Sequence, residues 1–218
     1  MLMKITHLTS DITRWFFETL DALLKIKSTV TVGLAGGSSF DGWYTELLQS
    51  SQWDTVDTSR IRWCVTDERV NCEQSDRNDA HIWEVFLNPL SQQWFTEEPY
   101  FVRPTIDSVG GDYTERVGVI DIAFFGMGPD GHTASLFPGH EALQSEAIGF
   151  IKIDNAPKFP PERISLSPKS LQHLTHACLF AVWETKKEAL ANFLDDTIDV
   201  HHCPTKLLTP EIVFTDIV

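Results

Sequence analysis

Apolar side chains at Ile12, Trp15, Phe16, Leu20, Leu23 and Leu24 recur three and four residues apart, which predicts an amphipathic helix over residues 9–27 with Ser10 or Asp11 as its N-cap. The period then changes. Residues 29–35 form a compact β-branched and apolar run, predicted as a buried strand that enters Gly36-Gly37-Ser38-Ser39. Trp43, Tyr44, Leu47 and Leu48 place a second helix near 41–50, and residues 61–65 read as the next strand. A polar stretch, 66–79, breaks the pattern before a helix near 78–88 that carries Ile82, Val85, Phe86 and Leu87 and stops ahead of Pro89. Residues 89–106 read as irregular around a short extended piece at 100–102, followed by a weak helix near 107–117 that contains Gly110-Gly111. Residues 119–125 are the most strand-like in the chain. Beyond them come an extended piece at 147–153, a proline-rich loop at 155–161, strands at 162–166 and 178–183, a helix at 184–195 and a last strand at 212–214.

Strands that alternate with helices predict an α/β fold, a central mainly parallel sheet flanked by helices. No repeat, low-complexity tract or linker divides the chain, so a single domain over residues 1–218 is expected. Ligands of such sheets sit in the crevice beyond the carboxyl ends of the strands. Three strands exit there into segments rich in glycine or charge, at 36–39, 67–69 and 126–132.

The first of these, Gly36-Gly37-Ser38-Ser39, joins a strand to a helix. Its glycines permit close backbone approach, the helix start offers unpaired N–H groups, and two hydroxyls add donors, which together suit a phosphate. No Gly-Lys-Ser/Thr follows, so it is not a Walker A loop, and a plain strand-to-helix turn is the bland alternative. In Asp67-Glu68-Arg69, Arg69 can grip an anion while Asp67 or Glu68 accepts from hydroxyls or orients the arginine; a solvated turn is the alternative. Residues 126–138, Gly-Met-Gly-Pro-Asp-Gly-His-Thr-Ala-Ser-Leu-Phe-Pro, carry the sharpest signal. They are expected to display Asp130 and His132 at the start of a short helical turn, and histidine is the side chain best matched to proton transfer near neutral pH. Prolines 157, 160 and 161 stiffen a loop that holds Lys158 and Arg163, and Lys186 opens a helix beyond a strand end.

Composition narrows the class. The chain has 218 residues, 42% apolar and 22% charged, the balance of a soluble globular protein rather than a disordered one. Its 17 Lys and Arg against 31 Asp and Glu leave a formal charge of −14, which argues against nucleic acid or a membrane surface as partner. The same charge repels anions at long range, so an anion site must be a local concentration of basic groups. Cys64, Cys72, Cys178 and Cys203 form no C-x-x-C pair, and the N-terminus lacks a secretory pattern; a reduced, cytoplasmic protein is expected. His201-His202-Cys203 reads as a surface loop rather than a metal site, and no metal is expected. The seven tryptophans read as core or groove residues.

In their order along the chain, Gly36-Gly37-Ser38-Ser39, Asp67-Glu68-Arg69 with Asp76 and Asn78, residues 126–138, and Pro157-Lys158 to Arg163 make the sequence resemble the 6-phosphogluconolactonases. These belong to a wider group with glucosamine-6-phosphate isomerase/deaminase, and the resemblance runs from about residue 9 to 214. It implies a Rossmann-like, sugar-phosphate isomerase/lactonase fold. It also implies hydrolysis of a small phosphosugar lactone, 6-phosphoglucono-δ-lactone, to 6-phosphogluconate in the oxidative pentose phosphate pathway, with no cofactor. His132 then corresponds to the general base and Asp130 to its neighbouring carboxylate. The corresponding substrate- and phosphate-binding set is Gly36, Gly37, Ser38, Ser39, Asp67, Arg69, Lys158, Arg163 and Lys186. Glycine-loop N–H groups or a basic side chain are the expected donors to the oxyanion, and a monomer or weak homodimer the expected state. The chain departs from the family pattern at Phe40, at Arg77 where Ser is common, at Trp183 where Gly is common, and over 207–211. The alternatives are a glucosamine-6-phosphate isomerase/deaminase, less well matched by Arg69 and by 133–137, and a sugar-phosphate sensor without turnover.

Overall fold

The computed structural model describes residues 3–94, 100–104 and 111–217. Its large sheet contains β1 (Lys4–Thr6), β2 (Val30–Leu34), β3 (Ile61–Val65), β5 (Tyr100–Val102), β6 (Ile122–Gly126), β9 (His176–Phe180) and β10 (Ile212–Phe214). They lie in the order β1-β10-β9-β6-β2-β3-β5, and every neighbouring pair is parallel. Parallel strands buried on both faces need near-continuous apolar runs, which is why β2, β3 and β6 were legible as strands. A smaller antiparallel sheet, β4 (Asp67–Arg69), β8 (Arg163–Leu166) and β7 (Phe150–Ile153), sits beside it.

The chain leaves β2 toward β3 and β5 on one side, then returns to place β6 on the other, where β9 and β10 follow. The order reverses between β2 and β6, whose Val32 and Ile122 are register partners. A crevice therefore opens where the segments after Leu34 and after Gly126 diverge, the place where such sheets bind ligands.

Helix α1 (Thr9–Leu24) buries Ile12, Phe16, Phe17 and Leu20. Phe16 meets Trp43, Trp53, Trp63 and Phe124 in one aromatic core, and Tyr44 of α2 (Asp41–Leu48) stacks on Phe86 with ring centroids 4.7 Å apart. Trp43 and Trp63 are fully buried, as the core reading expected. Among the described residues, no helix is long and apolar enough to cross a membrane.

Local differences from the sequence reading have identifiable causes. The N-cap of α1 is Leu8, not Ser10 or Asp11; Asp11 instead accepts from the Thr6 hydroxyl at 2.6 Å and sits in the first turn. The helix near residue 78 does not stop before Pro89. It begins as α3 (Asn78–Ile82), widens into a π turn (Trp83–Leu87) and continues as α4 (Asn88–Trp94). The wider turn makes room for the proline ring, which in an α-helix would crowd the carbonyl four residues back. Of the weak helix near 107–117, α5 (Gly111–Val117) is present, and 107–110 lie outside the described residues, as do 95–99 and 105–106 of the irregular stretch. Residues 67–69 are strand rather than turn, and the apolar run at 119–125 pairs only from Ile122, leaving Val119 exposed. The helix expected over 184–195 opens as a 3-10 turn (Glu184–Lys186) and continues as α6 (Lys187–Leu194).

Candidate active site

After β6 the chain makes no helical turn. It folds back through isolated bridges between Met127 and Thr133 and between Thr133 and Leu136, with Ala134 at φ 49°. Tertiary partners displace the local helix here. The Thr133 hydroxyl donates to the Gly126 carbonyl at 3.0 Å, and the Ser135 hydroxyl donates to Asp67 Oδ2 at 2.7 Å. The Gly131 carbonyl accepts from both the N–H and the hydroxyl of Thr205, at 3.0 and 2.9 Å, so the C-terminal segment clamps the loop. Gly131 has φ 81° and packs against Cys203, where a side chain would be strained.

This loop presents Asp130 and His132 together. His132 Nδ1 is hydrogen-bonded to Asp130 Oδ1, and the ring lies against Phe137 with centroids 4.7 Å apart. Lys158 reaches the same pair, with Nζ 3.1 Å from Asp130 Oδ2 and 3.2 Å from His132 Nδ1. Burial alone would raise the Asp130 carboxyl, but the hydrogen bond and charge of His132, then those of Lys158, hold it well below the usual carboxylate range. A permanent carboxylate on Nδ1 selects the tautomer with Nδ1–H donating, which leaves Nε2 as the basic nitrogen.

His132 lines a cavity of about 240 Å³ between the ends of β2 and β6. Gly36, Ser39, Asp67, Arg69, Arg163 and Lys186 line it as well, so seven of the singled-out residues converge there. Gly37, Ser38, Asp130 and Lys158 do not line it, and Gly37 and Ser38 are exposed. Gly37 has φ 97° and directs the chain into the 3-10 turn Ser38–Phe40. The cavity also touches Phe40, Asn78 and Met127, none of which pattern alone marked as functional.

The cations differ in how far the protein already uses them. Lys186 is 6% exposed and its ammonium donates to Ser39 Oγ at 3.0 Å. Burial pulls it down to about 8, with the Asp216 carboxylate opposing and Lys158 adding to the fall. Arg163 spans the stiff loop from below, donating from Nε to the Pro160 carbonyl and from Nη2 to those of Lys158 and Phe159. Its pKa is lowered by burial. Arg69 donates from Nη1 to the Asp76 carbonyl at 2.6 Å, and its buried Nε has no protein partner.

Beneath these groups lies a buried polar layer. Glu68 accepts from the backbone N–H groups of Arg69, Asn78 and Asp79, each at 2.7 Å, and so caps the start of α3. Burial and the neighbouring Asp79 carboxylate push Glu68 up to about 8 against those donors and Arg77. Asn78 Nδ2 holds the Asp67 carbonyl at 2.9 Å, and its side chain packs so closely on Gly36 that a Cβ there would lie 2.2 Å from Oδ1. Arg77 fastens the layer through Asp79, with Nε to Oδ1 at 2.9 Å.

Two loop amides are already used: the Gly128 N–H donates to the His132 carbonyl at 2.8 Å and the Gly131 N–H to that of Gly128 at 3.0 Å. Among the described residues no group of three or more His, Cys, Asp or Glu side chains is arranged to hold a metal ion.

The chain matches, over residues 4–215, the family described as glucosamine-6-phosphate isomerases/6-phosphogluconolactonase. It is 29% identical over 204 residues to the 6-phosphogluconolactonase of Borreliella burgdorferi, which covers 88% of this chain and 85% of that one. A Saccharomyces cerevisiae relative named 6-phosphogluconolactonase 3 is 28% identical over 208 residues, or 86% and 81% of the two chains. The crystal structure of a Thermotoga maritima 6-phosphogluconolactonase superposes with a TM-score of 0.77 at 20% identity over 98% of both chains, which establishes the shared fold.

Proposed function

The chain belongs to the glucosamine-6-phosphate isomerase/6-phosphogluconolactonase family, and within it we infer that this protein hydrolyses 6-phosphoglucono-δ-lactone to 6-phosphogluconate. One observation carries the site assignment: His132, hydrogen-bonded to Asp130, and three buried or half-buried cations, Lys186, Arg69 and Arg163, line one small cavity. That is the equipment for holding a phosphate at one end and moving a proton at the other.

A lactone carbonyl is already electrophilic, so a positioned base suffices to activate water. His132 Nε2 takes a proton from the water as its oxygen bonds to C1, and Asp130 stabilises the imidazolium that forms. The imidazolium then gives this proton to the departing ring oxygen, which completes the hydrolysis. Because the Gly128 and Gly131 amides are hydrogen-bonded within the loop, a cationic side chain of the cavity is the better donor to the oxyanion. Lys186 with Ser39, supported by Arg69 and Arg163, binds the phosphate and fixes C1 in reach of His132. Lys158 serves this pair rather than the phosphate, keeping Asp130 ionised. The four cysteines, Cys64, Cys72, Cys178 and Cys203, are all free, which supports a reducing, cytoplasmic setting.

The test generates the lactone with glucose-6-phosphate dehydrogenase and follows 6-phosphogluconate through its own dehydrogenase. The protein is expected to accelerate the lactone's disappearance, and His132→Ala to lose about 10²–10⁴-fold in kcat. Turnover of His132→Ala near the wild-type rate, after subtraction of spontaneous hydrolysis, would remove His132 from the mechanism. Phosphosugar-dependent thermal stabilisation without any hydrolysis would indicate a binding protein instead.

A further inference from the structure

Trp183 follows β9 with φ 75° and ψ 139°, a backbone conformation that glycine adopts freely and a bulky residue does not. Two hydrogen bonds keep it there: its N–H donates to Asp216 Oδ1 at 2.6 Å, and its carbonyl accepts from the Lys186 N–H at 2.9 Å. Core packing does not explain the choice of residue, since the side chain is 45% exposed. Its ring instead faces a cation: the Lys186 ammonium stands 4.7 Å from the indole centroid. That ammonium is the group that meets Ser39 and lines the cavity.

We infer that Trp183 is a positioning residue for the anionic end of the substrate, its indole face holding the Lys186 ammonium against Ser39 and toward the cavity. The inference rests on the reading of Lys186 as a phosphate ligand. An aromatic face suits this task for a physical reason. Its quadrupole attracts the buried cation, yet it takes up less of the ammonium's hydrogen-bonding capacity than a carboxylate would, leaving N–H donors for the ligand. It also restricts a long, rotamer-rich side chain before the ligand arrives, so less ordering remains to be done on binding. Asp216 contributes from behind, tethering the Trp183 backbone and adding a charge that favours the ammonium form.

The test compares Trp183→Gly, Trp183→Phe and Lys186→Met, alone and combined, in the full chain. Trp183→Gly is expected to raise KM for the lactone about three- to tenfold, the scale of a lost cation–π contact, with kcat changed less than about twofold. Its Tm should be unchanged or higher, because glycine relieves the backbone. Trp183→Phe should bring KM back to within about twofold of wild type, since a phenyl face still meets the ammonium. In the Lys186→Met background, Trp183→Gly should add nothing further to KM. A lower Tm with kcat and KM damaged alike, and no rescue by Phe, would mark Trp183 as merely structural and overturn the inference. An unchanged KM in Trp183→Gly, or an equal effect with and without Lys186, would overturn it while leaving the phosphate reading intact. An unchanged KM in Lys186→Met itself would remove both.

Discussion

Gly128 lies so close beneath the imidazole of His132 that a Cβ at position 128 would sit 2.0 Å from Nδ1 and Cε1, and 2.6 Å from Asp130 Oδ1. The glycine therefore makes room for the hydrogen-bonded His132–Asp130 pair. It is needed for space, because the conformations of the neighbouring Gly131 and Ala134 supply the turn.

Gly128→Ala is accordingly expected to displace the imidazole and reduce kcat by about 10²-fold or more, the scale of losing the base. The global fold should survive, since the group that must move is a partly exposed side chain at a loop. Circular dichroism and Tm close to wild type, beside a collapsed kcat, are the expected readings.

Asp130→Asn tests the orienting carboxylate. An amide can donate to Nδ1 and so favour the tautomer with the proton on Nε2, which cannot act as a base; a fall in kcat of about 10³–10⁴-fold is expected, with KM little changed. The depressed Asp130 pKa also has a sign for stability. Its favourable contribution is present above the unfolded value near 3.9 and is lost as pH falls through the folded value. Denaturation of Asp130→Asn and wild type should thus differ at neutral pH and converge in strong acid.

Lys186, brought down to about 8 by burial, should impose opposite pH trends on binding and on stability. As pH rises through about 8 the ammonium is lost, so affinity for 6-phosphogluconate falls, as calorimetry can measure. The unfolded chain, with a lysine pKa near 10.4, binds more protons over the same window, so the unliganded fold gains stability up to about pH 10. Lys186→Met should flatten both trends.

Thr205→Val removes the hydroxyl that donates to the Gly131 carbonyl while keeping the backbone N–H that shares this acceptor. A loss of about 1 kcal/mol in denaturant unfolding is expected from one hydrogen bond, with kcat lowered because the loop carrying His132 is less firmly held. Full activity in this variant would show that the hydroxyl half of the C-terminal clamp is dispensable.

Much of this architecture is written locally. The segments at 30–34, 61–65 and 212–214 are strands because near-continuous apolar runs rich in β-branched and aromatic residues suit a sheet buried on both faces. The glycine-rich path at 126–132 announces a ligand-facing turn because so many permissive backbone positions follow directly after a strand. Residues 67–69 were harder: three charges in a row resemble a solvated turn, and only the pairing with β8 and the cap on α3 show why Asp67 and Glu68 are buried. Pro89 does not end its helix, because a π turn just upstream accommodates the ring, and no local pattern announces that turn.

By itself the sequence determined the central strands and most helices, and it pointed to three strand ends, and to His132 with Asp130, as the candidate site. Periodicity, glycine and proline act within a few residues, so they can be read along the chain. Tertiary structure decided which donors and acceptors remain for a ligand. Lys158 is bound to Asp130, Arg163 to its own loop's carbonyls, and the Gly128 and Gly131 amides to the loop backbone, while Lys186 reaches Ser39 across 147 positions of sequence. Hydrogen-bonding capacity is finite, and its allocation is settled by groups that packing brings together from distant parts of the chain.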